Sequence, residues 1–286
     1  MNEYSYEATR KSAEINGLEL SWHEAGEGEP LILLHGSGPG VSAWSNFQFN
    51  LPEFAKHFRV IMPDMPGFGL SDLGPLGEYY PPFAARSIIG LMDHLGLESA
   101  CFTGNSMGGA VAAELAAAAP ARVRSMALIG SGGLSVSLFG TDPSEGFKRL
   151  FEFLGDPTRP RMVEWIKTMV HDPRLITDDL VDARMKNALA DGAIDKIKTI
   201  FASMFDPRLR GDTPPLWTRA ATIQTPTLIL WGRDDRTLPY DQAHFANRWL
   251  PEVELHTFSR CGHWLQIERK TEFERVSTEF HHRQRG

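Results

Sequence analysis

Short apolar runs alternate along the chain with longer segments whose apolar residues recur every three or four positions. The first kind is typical of strands buried in a parallel sheet, and the second of helices that pack on such a sheet. We therefore predict an α/β protein with a mostly parallel, doubly wound sheet. The predicted strands are residues 18–24, 31–35, 58–63, 100–104, 123–129, 226–231 and 252–258.

The pattern changes between residues 134 and 215, where no strand-like run occurs. Four segments there have the spacing of amphipathic helices, at residues 145–154, 161–170, 178–189 and 194–204. We interpret this stretch as a helical cap inserted into the sheet domain. The core then comprises residues 1–133 and 216–286, the cap comprises residues 134–215, and Thr213, Pro214 and Pro215 mark the return to the core.

Composition and charge narrow the classes of partner. Of 286 residues, 42% are hydrophobic and 23% charged, and no apolar run is long enough to span a bilayer. The N-terminal segment lacks the pattern of a secretory signal, so we expect a cytoplasmic protein without a membrane partner. The net charge of −7 argues against a nucleic-acid partner. An anionic substrate would need a specific local cation, because the field of the whole protein does not attract it.

The cysteines and the C-terminal tail are not expected to form a metal site. Cys101 and Cys261 lie in no CxxC motif and in no Cys/His cluster, so we expect two buried thiols. The C-terminal HHRQRG is expected to be a solvated tail, and the alternative of a metal-binding pair, His281 and His282, is the weaker interpretation.

A G-x-S-x-G element marks the candidate nucleophile. Ser106 lies between Gly104 and Gly108, after the strand-like ACFT and before a helix-forming segment. The motif alone is weak, but a strand, a sharp turn and a helix are the setting that a nucleophile elbow requires. The glycines remove side chains where the strained backbone crowds neighbouring strands. The alternative is a serine in an ordinary glycine-rich turn.

A second glycine-rich segment, HGSGPG at residues 35–40, follows the strand LILL. An α/β hydrolase takes its second oxyanion-hole donor from such a loop. We therefore predict a hole formed by the N–H of Met107 and the N–H of either Ser37 or Gly38. A phosphate-binding loop is disfavoured because no GK[ST] follows. We interpret His35 as a residue that organises the loop and not as a base.

The candidate acid and base also follow strands. Asp235 lies in GRDDR after the strand PTLILW, and His263 lies in SRCGHW after the strand ELHTF. Ligands bind at this edge of an open parallel sheet, and the chain order Ser, Asp, His is that of α/β hydrolases. His263 would take and return the Ser106 proton while Asp235 orients its ring. Asp234 competes for the acid role and is expected to be a turn residue paired with Arg233 or Arg236.

With these residues in place, the chain resembles the meta-cleavage product hydrolases, which cleave carbon–carbon bonds in bacterial degradation of aromatic and steroid rings. The resemblance covers nearly the whole chain and implies an α/β-hydrolase fold with a helical cap. The segments that carry it are HGSGPGVSAWSNF, GNSMGG, SGGLSVSLF, DPRLITDDLVDAR, WGRDDR and CGHW.

The resemblance implies a set of residues for an anionic dienoate substrate. Arg184 would bind its carboxylate and 2-oxo end, and Asn46, Asn105 and Trp264 would line the same polar end. Arginine suits this role because its guanidinium matches a carboxylate with two parallel hydrogen bonds. Without the resemblance, Arg184 would be interpreted as a surface residue of the cap.

Two positions depart from the family pattern. Ser37 stands where some relatives have glycine, which puts the donor geometry there in doubt. Arg174 stands where a small polar residue is common, and either a second cation in the site or a solvent-exposed side chain would account for it.

The implied reaction begins with ketonisation of a 2-hydroxy-6-oxohexa-2,4-dienoate, with His263 as the proton carrier. Ser106 then attacks the 6-oxo carbon, and cleavage of the C5–C6 bond yields 2-hydroxypenta-2,4-dienoate and a carboxylic acid. A direct attack by water, through a gem-diol, stays open beside the acyl-serine route. The scheme needs no metal and no organic cofactor, and the relatives imply a homo-oligomer, either a dimer or a tetramer.

The group on C6 requires an apolar pocket, although the cap residues that suit it would equally pack the cap on the core. One alternative function is a carboxylesterase or thioesterase on the same fold, which has no use for Arg184, Asn105 and Trp264 together. A non-enzymatic ligand receptor is the other alternative. A dehalogenase is excluded, because its nucleophile would be an aspartate at position 106. The candidate pocket residues are Leu138, Phe139, Phe151, Phe153, Trp165 and Met169.

Overall fold

Eight strands form one sheet in the computed structural model, which describes residues 3–140 and 142–284. Their order is β1-β2-β4-β3-β5-β6-β7-β8. The β1–β2 and β2–β4 pairs are antiparallel, and every other neighbouring pair is parallel. The strands are β1 (Arg10–Ile15), β2 (Leu18–Ala25), β3 (Pro30–Leu34), β4 (Arg59–Pro63), β5 (Ala100–Asn105), β6 (Val123–Ile129), β7 (Thr227–Gly232) and β8 (Val253–Phe258).

Helices cover both faces of the sheet, and short 3₁₀ segments occur at Pro120–Arg122, Pro173–Leu175 and Leu216–Thr222. The α-helices are α1 (Tyr6–Thr9), α2 (Ala43–Phe47), α3 (Leu51–Phe54), α4 (Tyr80–His94), α5 (Met107–Ala118), α6 (Glu145–Gly155), α7 (Arg159–Met169), α8 (Asp178–Ala188), α9 (Ala193–Phe205), α10 (Pro207–Arg210), α11 (Asp241–Trp249), α12 (Leu265–Glu268) and α13 (Lys270–Arg283).

Two apolar cores lie on the two faces of the sheet, and the alternation of side chains along each strand explains them. In β3, Leu31 and Leu33 enter the core beneath α2, α3 and α13. Ile32 and Leu34 enter the larger core, which also contains residues of α4, α5 and the helices between β6 and β7. A strand buried on both faces reads as an unbroken apolar run, which is why LILL predicts it from sequence.

The predicted fold class is confirmed, and all seven predicted strands are present. Strand β1 escaped prediction because only Ile15 in RKSAEI is buried, as an edge strand allows. The four helices predicted for the cap region correspond to α6 to α9, each within two residues of its predicted start, and the short α10 was not predicted. The division into core and cap at residues 134 and 215 stays a prediction.

The expectation of a solvated C-terminal tail is wrong for the part that the structure describes. Helix α13 continues to Arg283, and His281 is fully buried between β5 and β6. Its Nδ1 and Nε2 lie 2.8 and 3.0 Å from the hydroxyls of Ser125 and Thr103, and burial lowers its pKa to about 3. The last two residues lie outside the described residues. Cys101 and Cys261 are buried, as expected.

No helix in the described ranges is both long enough and apolar enough to cross a bilayer.

Candidate active site

Ser106 sits on a sharp turn between β5 and α5. Its backbone adopts φ 55° and ψ −115°, a conformation that costs a non-glycine residue of order 1–3 kcal/mol. Glycine is required on both sides. A Cβ on Gly104 would lie 2.6 Å from backbone atoms of Gly108, and one on Gly108 would lie 2.2 Å from the carbonyl oxygen of Leu34. The turn is therefore built as a nucleophile elbow that presents the Ser106 hydroxyl above the sheet edge.

His35 holds the loop after β3 in place. The ring is fully buried, its Nε2 accepts a hydrogen bond from the N–H of Met65 at 2.9 Å, and its Nδ1 lies 2.7 Å from the carbonyl oxygen of Gly36. Both contacts are satisfied only by the neutral ring with a proton on Nδ1, and burial lowers its pKa to about 4. The residue organises the loop and faces no substrate position.

The amides predicted for the oxyanion hole are available. Within the described residues, the N–H groups of Ser37, Gly38 and Met107 donate to no protein acceptor. Met107 opens α5, so its N–H also carries the partial positive charge of a helix N-terminus. Trp165 of α7 covers the loop so closely that a Cβ on Gly38 would lie 2.6 Å from its ring.

Asp235 and His263 are brought together by two loops at the ends of β7 and β8. The His263 Nδ1 lies 2.6 Å from Asp235 Oδ2, and both residues are buried. The other carboxylate oxygen, Oδ1, accepts the backbone N–H groups of Thr237 and Leu238, each at 2.8 Å. Three donors therefore hold this carboxylate, which fixes the ring with its Nε2 as the acceptor. The Ser106 hydroxyl makes no hydrogen bond in the described part of the chain, so its bond to His263 must tighten as substrate binds.

Asp234 has a different partner from the one predicted. Its Oδ2 accepts the backbone N–H of Cys261 at 3.2 Å and lies 3.1 Å from Nδ1 of His171. Neither Arg233 nor Arg236 pairs with it; Arg236 instead faces the carbonyl oxygen of Lys167 and the carboxylate of Glu145. Asp234 is thus a loop-closing residue outside the cavity.

Arg184 is a buried cation that forms no ion pair in the part of the chain that the structure describes. It projects from α8, is 3% exposed, and its Nε has no hydrogen-bond partner among the described residues. Its guanidinium carbon lies 4.8 Å from the ring centroid of Trp264. Burial, with no compensating charge, lowers the pKa of Arg184 to about 10, so the group stays charged at neutral pH. Helix α8 approaches so closely that a Cβ on Gly40 would lie 2.2 Å from the Arg184 carbonyl oxygen.

Two buried asparagines lie in the same cavity. Asn46 Oδ1 accepts the N–H of Gly36 at 3.4 Å, while its buried Nδ2 finds no partner in residues 3–140 and 142–284. Asn105 Nδ2 reaches the carbonyl oxygens of Ile129 and His263 at 3.3 and 3.5 Å. A buried donor without a hydrogen-bond partner lowers the stability of the folded protein by about 1–3 kcal/mol. The unpaired Asn46 amide and Arg184 Nε therefore indicate that a ligand with acceptor atoms binds here.

One cavity joins these groups. Of the predicted site residues, Ser37, Gly38, Asn46, Asn105, Ser106, Arg184, His263 and Trp264 line it. Asp235 lies behind His263, and Met107 directly follows Ser106. The remaining lining residues are Gly36, Val41, Gly146, Phe147, Leu150, Trp165, Met169 and Thr237.

The apolar residues named from sequence separate into three groups. Trp165 and Met169 line the cavity, whereas Phe153 is packed in the core and does not. Leu138, Phe139 and Phe151 are 66, 88 and 39% exposed. Arg174 is paired with Asp172 and its side chain is 87% exposed, so it adds no cation to the site.

Gly146, Phe147, Leu150 and Thr237 line the cavity but were not predicted from the sequence. Phe147 and Leu150 lie about one turn apart on α6, and Gly146 directly precedes Phe147; this helical spacing is the signal that would have found them. Together these observations describe a site for nucleophilic attack on a carbonyl carbon, with a cationic end that takes an anion.

Comparisons with known proteins agree with this chemistry. The model of the alpha/beta hydrolase family matches residues 31–276. A 2-hydroxy-6-oxo-6-phenylhexa-2,4-dienoate hydrolase from Burkholderia cepacia is 38% identical over 98% of this chain and 99% of its own length. A 2-hydroxy-6-oxononadienedioate/2-hydroxy-6-oxononatrienedioate hydrolase from Comamonas testosteroni is 39% identical, with the same coverage.

Solved structures give the same result. A 2-hydroxy-6-oxo-6-phenylhexa-2,4-dienoate hydrolase from Rhodococcus sp. strain RHA1 superposes with a TM-score of 0.86 at 31% identity, covering 96% of this chain and 98% of that chain. A meta-cleavage product hydrolase from Pseudomonas fluorescens IP01 gives a TM-score of 0.84 at 33% identity, covering 96% of this chain and 97% of its own.

Proposed function

Because the chain belongs to the meta-cleavage product hydrolases of the alpha/beta hydrolase family, we propose that it cleaves 2-hydroxy-6-oxohexa-2,4-dienoates with Ser106, His263 and Asp235. The reaction hydrolyses the C5–C6 bond and gives 2-hydroxypenta-2,4-dienoate and a carboxylic acid. Arg184, Asn46, Asn105 and Trp264 bind the carboxylate end of the substrate in this proposal.

The burial of Arg184 without a partner is the observation that supports a dienoate substrate, which the fold alone does not. A buried, unpaired guanidinium is expensive to maintain, and a simple esterase would gain nothing from one beside its serine. A dienoate carboxylate supplies the missing charge and accepts the unpaired Nε hydrogen. The 2-oxygen of the substrate then lies within reach of the Asn46 Nδ2, which also lacks a partner.

The first chemical step is ketonisation. The proton of the 2-hydroxyl leaves, and a proton is added at C5, which gives a 2,6-dioxohex-3-enoate whose C5–C6 bond is able to break. His263 is the group in the cavity placed to carry this proton, because its Nε2 is free to accept and donate. The positive charge of Arg184 stabilises the negative charge that develops on the 2-oxygen.

The second step is nucleophilic attack. His263 takes the Ser106 proton, the serine Oγ bonds to C6, and the 6-oxygen becomes an anion held by the N–H of Met107 and that of Ser37 or Gly38. The strained elbow supports this acyl-serine route, because it presents the Ser106 hydroxyl above the sheet edge.

Collapse of this intermediate breaks the C5–C6 bond. The electron pair moves through C5, C4 and C3 to the 2-oxygen, where the proton held by His263 completes 2-hydroxypenta-2,4-dienoate. Water, deprotonated by the same ring, then hydrolyses the acyl-serine and restores Ser106. No metal or organic cofactor takes part in this scheme. A cytoplasmic location and a dimeric or tetrameric assembly stay predictions; sedimentation analysis tests the assembly.

The test uses 2-hydroxy-6-oxo-6-phenylhexa-2,4-dienoate and a simple aryl ester side by side. We expect the visible absorbance of the dienolate to disappear with release of benzoate and 2-hydroxypenta-2,4-dienoate in equal amounts. Ser106→Ala should lose about 10⁴-fold or more of this activity. Rapid ester hydrolysis without dienoate turnover would overturn the proposed function, and full activity of Ser106→Ala would overturn the role of the serine.

A further inference from the structure

We infer that this enzyme selects dienoates whose C6 substituent is uncharged and apolar, and that it rejects substrates with a second carboxylate on that substituent. The inference rests on the proposed function and adds the substrate class. It distinguishes this chain within its own family, because the relatives described above include hydrolases named for 6-phenyl dienoates and for nonadienedioates.

The order of the strands gives the cavity two ends. Ser106 follows β5, while the loop with Gly40 and Asn46 follows β3 on one side of it. The loop with Asp235 and Thr237 follows β7, two strands away on the other side. Helix α8 rests on Gly40, and the Arg184 guanidinium, which lies against the Trp264 ring, shares the cavity with the unpaired Nδ2 of Asn46. We therefore place the substrate carboxylate on the β3 side. A substrate that holds its carboxylate there and its C6 at Ser106 must extend its C6 substituent toward the β7 side.

Helix α6 is fixed to this β7 side. The hydroxyl of Ser144, just before the helix, donates to the carbonyl oxygen of Thr237 at 2.7 Å, and the N–H of Gly146 donates to that of Arg236 at 3.0 Å. The helix therefore faces the cavity with Gly146, Phe147 and Leu150. The side chain of Met169 completes this wall, since its sulfur lies 3.7 Å from the Thr237 hydroxyl. We call Gly146, Phe147, Leu150, Met169 and Thr237 the acyl wall.

The acyl wall contains no ionisable side chain. Along the whole described cavity lining, the ionisable residues are Arg184 and His263, and both already have a role. The Thr237 hydroxyl is the single polar side-chain group of the wall. The cations near the wall along the chain point away from it or are engaged elsewhere. Lys148 of α6 is exposed and lies outside the cavity lining, and Arg149 is paired with Glu152. Arg236 contacts Lys167 and Glu145, and Lys167 is paired with Glu164. A second substrate carboxylate would lose its hydration shell at the acyl wall and would meet no cationic side chain there.

A matched pair of substrates measures this selection. 2-Hydroxy-6-oxonona-2,4-dienoate has a propyl group on C6, and 2-hydroxy-6-oxonona-2,4-diene-1,9-dioate carries a carboxylate in place of its terminal methyl. Because an unpaired charge in a closed site is strongly disfavoured, we expect kcat/KM for the dioate to be lower by about 10²-fold or more. The 6-phenyl dienoate, which is also neutral at C6, should behave like the propyl substrate.

The two possible failures are distinguishable. Equal kcat/KM for the dioate and the propyl dienoate would overturn the inferred selection and leave the proposed function intact. Absence of turnover with all three dienoates would overturn the proposed function itself.

A cation added to the acyl wall should reverse the selection. Phe147→Arg places a guanidinium beside the C6 substituent, and its head can reach water because the neighbouring Phe151 ring is 39% exposed. We expect the ratio of kcat/KM for dioate to propyl substrate to rise by about 10-fold or more. Phe151→Arg adds the same charge one turn further along α6, outside the cavity lining, and should leave the ratio unchanged. A folded Phe147→Arg enzyme with an unchanged ratio would overturn the placement of the C6 substituent.

Discussion

Replacing Arg184 by methionine removes a charge that the unliganded protein buries at a cost. Burial lowers the pKa of Arg184 to about 10, from an ordinary value of about 12.5. That difference corresponds to about 3 kcal/mol by which folding disfavours the charged form. Because the folded pKa is the lower one, this penalty is fully present below pH 10 and is relieved only at higher pH.

The substitution should therefore stabilise the free enzyme. Methionine fills a similar volume without a polar atom, but it forfeits the contact between the guanidinium and the Trp264 ring, which is worth up to about 2 kcal/mol when buried. The net gain is about 1–2 kcal/mol, which raises Tm by about 2–6 °C. Urea denaturation or calorimetry of the unliganded proteins measures it.

The same substitution should damage dienoate hydrolysis selectively. Loss of one partner of a buried charge pair costs about 2–5 kcal/mol, so we expect kcat/KM for the 6-phenyl dienoate to fall by about 10²–10³-fold. Hydrolysis of an uncharged aryl ester uses the triad and the oxyanion hole but not Arg184, and should change by less than about threefold. Visible absorbance follows the first reaction and release of the phenol follows the second.

Arg174→Met is the matched control. Arg174 lies on the cap as well, but its side chain is 87% exposed and paired with Asp172, so neither stability nor either activity should change appreciably. A lower Tm for Arg184→Met would refute the predicted gain in stability, because contacts of the buried cation would then outweigh its desolvation. An equal fall in dienoate and ester turnover would refute the role of Arg184 in binding the substrate carboxylate.

Three further predictions concern the triad, the loop after β3 and acid stability. Asp235→Asn should reduce kcat by about 10⁴-fold, whereas Asp234→Asn, outside the cavity, should leave kcat within about threefold. A large loss for Asp234→Asn and a small one for Asp235→Asn would make Asp234 the acid of the triad. Gly38→Ala should reduce kcat/KM for both substrates by about 10-fold or more, because its Cβ would lie 2.6 Å from the Trp165 ring, and a second change, Trp165→Leu, should restore part of the ester activity; a fully active Gly38→Ala enzyme would contradict the close packing. Burial lowers the pKa of His23 and His35 to about 4 and that of His281 to about 3, so the unfolded chain takes up protons first and stability should decline as the pH falls from about 6.5 to about 4. Asp64, whose pKa burial raises to about 6, opposes part of this decline, and a urea midpoint that stays constant across that window would refute the assignment.

The sequence was sufficient for the features that are local. An apolar run such as that of β3 has one structural solution, a strand buried on both faces. A serine between glycines after a strand, or an acid and a histidine just beyond two other strands, owes its position to a few neighbouring residues. The edge strand β1 was missed because a strand with one buried residue, Ile15, carries no apolar pattern.

The features that escaped prediction depend on distant partners. His281 can be buried because its ring forms hydrogen bonds with two hydroxyls on β5 and β6. Nothing in the sequence around HHRQRG indicates these distant partners. In α6, Phe147 and Leu150 face the cavity, Phe153 the core and Phe151 partly the solvent. Helical periodicity groups apolar residues by face, but it does not say what each face meets. Arg184 was identified only through the resemblance, because a buried and an exposed arginine on an amphipathic helix look alike in sequence.

A cation at one end of the cavity and none at the other also fixes the direction in which a dienoate binds. With its carboxylate at Arg184, the substrate presents C6 to Ser106; in the reverse direction the carboxylate would face the acyl wall without a partner. Phe147→Arg removes this asymmetry, so part of a propyl dienoate should bind in reverse and unproductively. Both kcat and KM should then fall together while kcat/KM for this substrate stays about constant, and Phe151→Arg should show neither change. Steady-state kinetics that leave kcat and KM of Phe147→Arg at their original values would mean that direction is set by shape and not by charge.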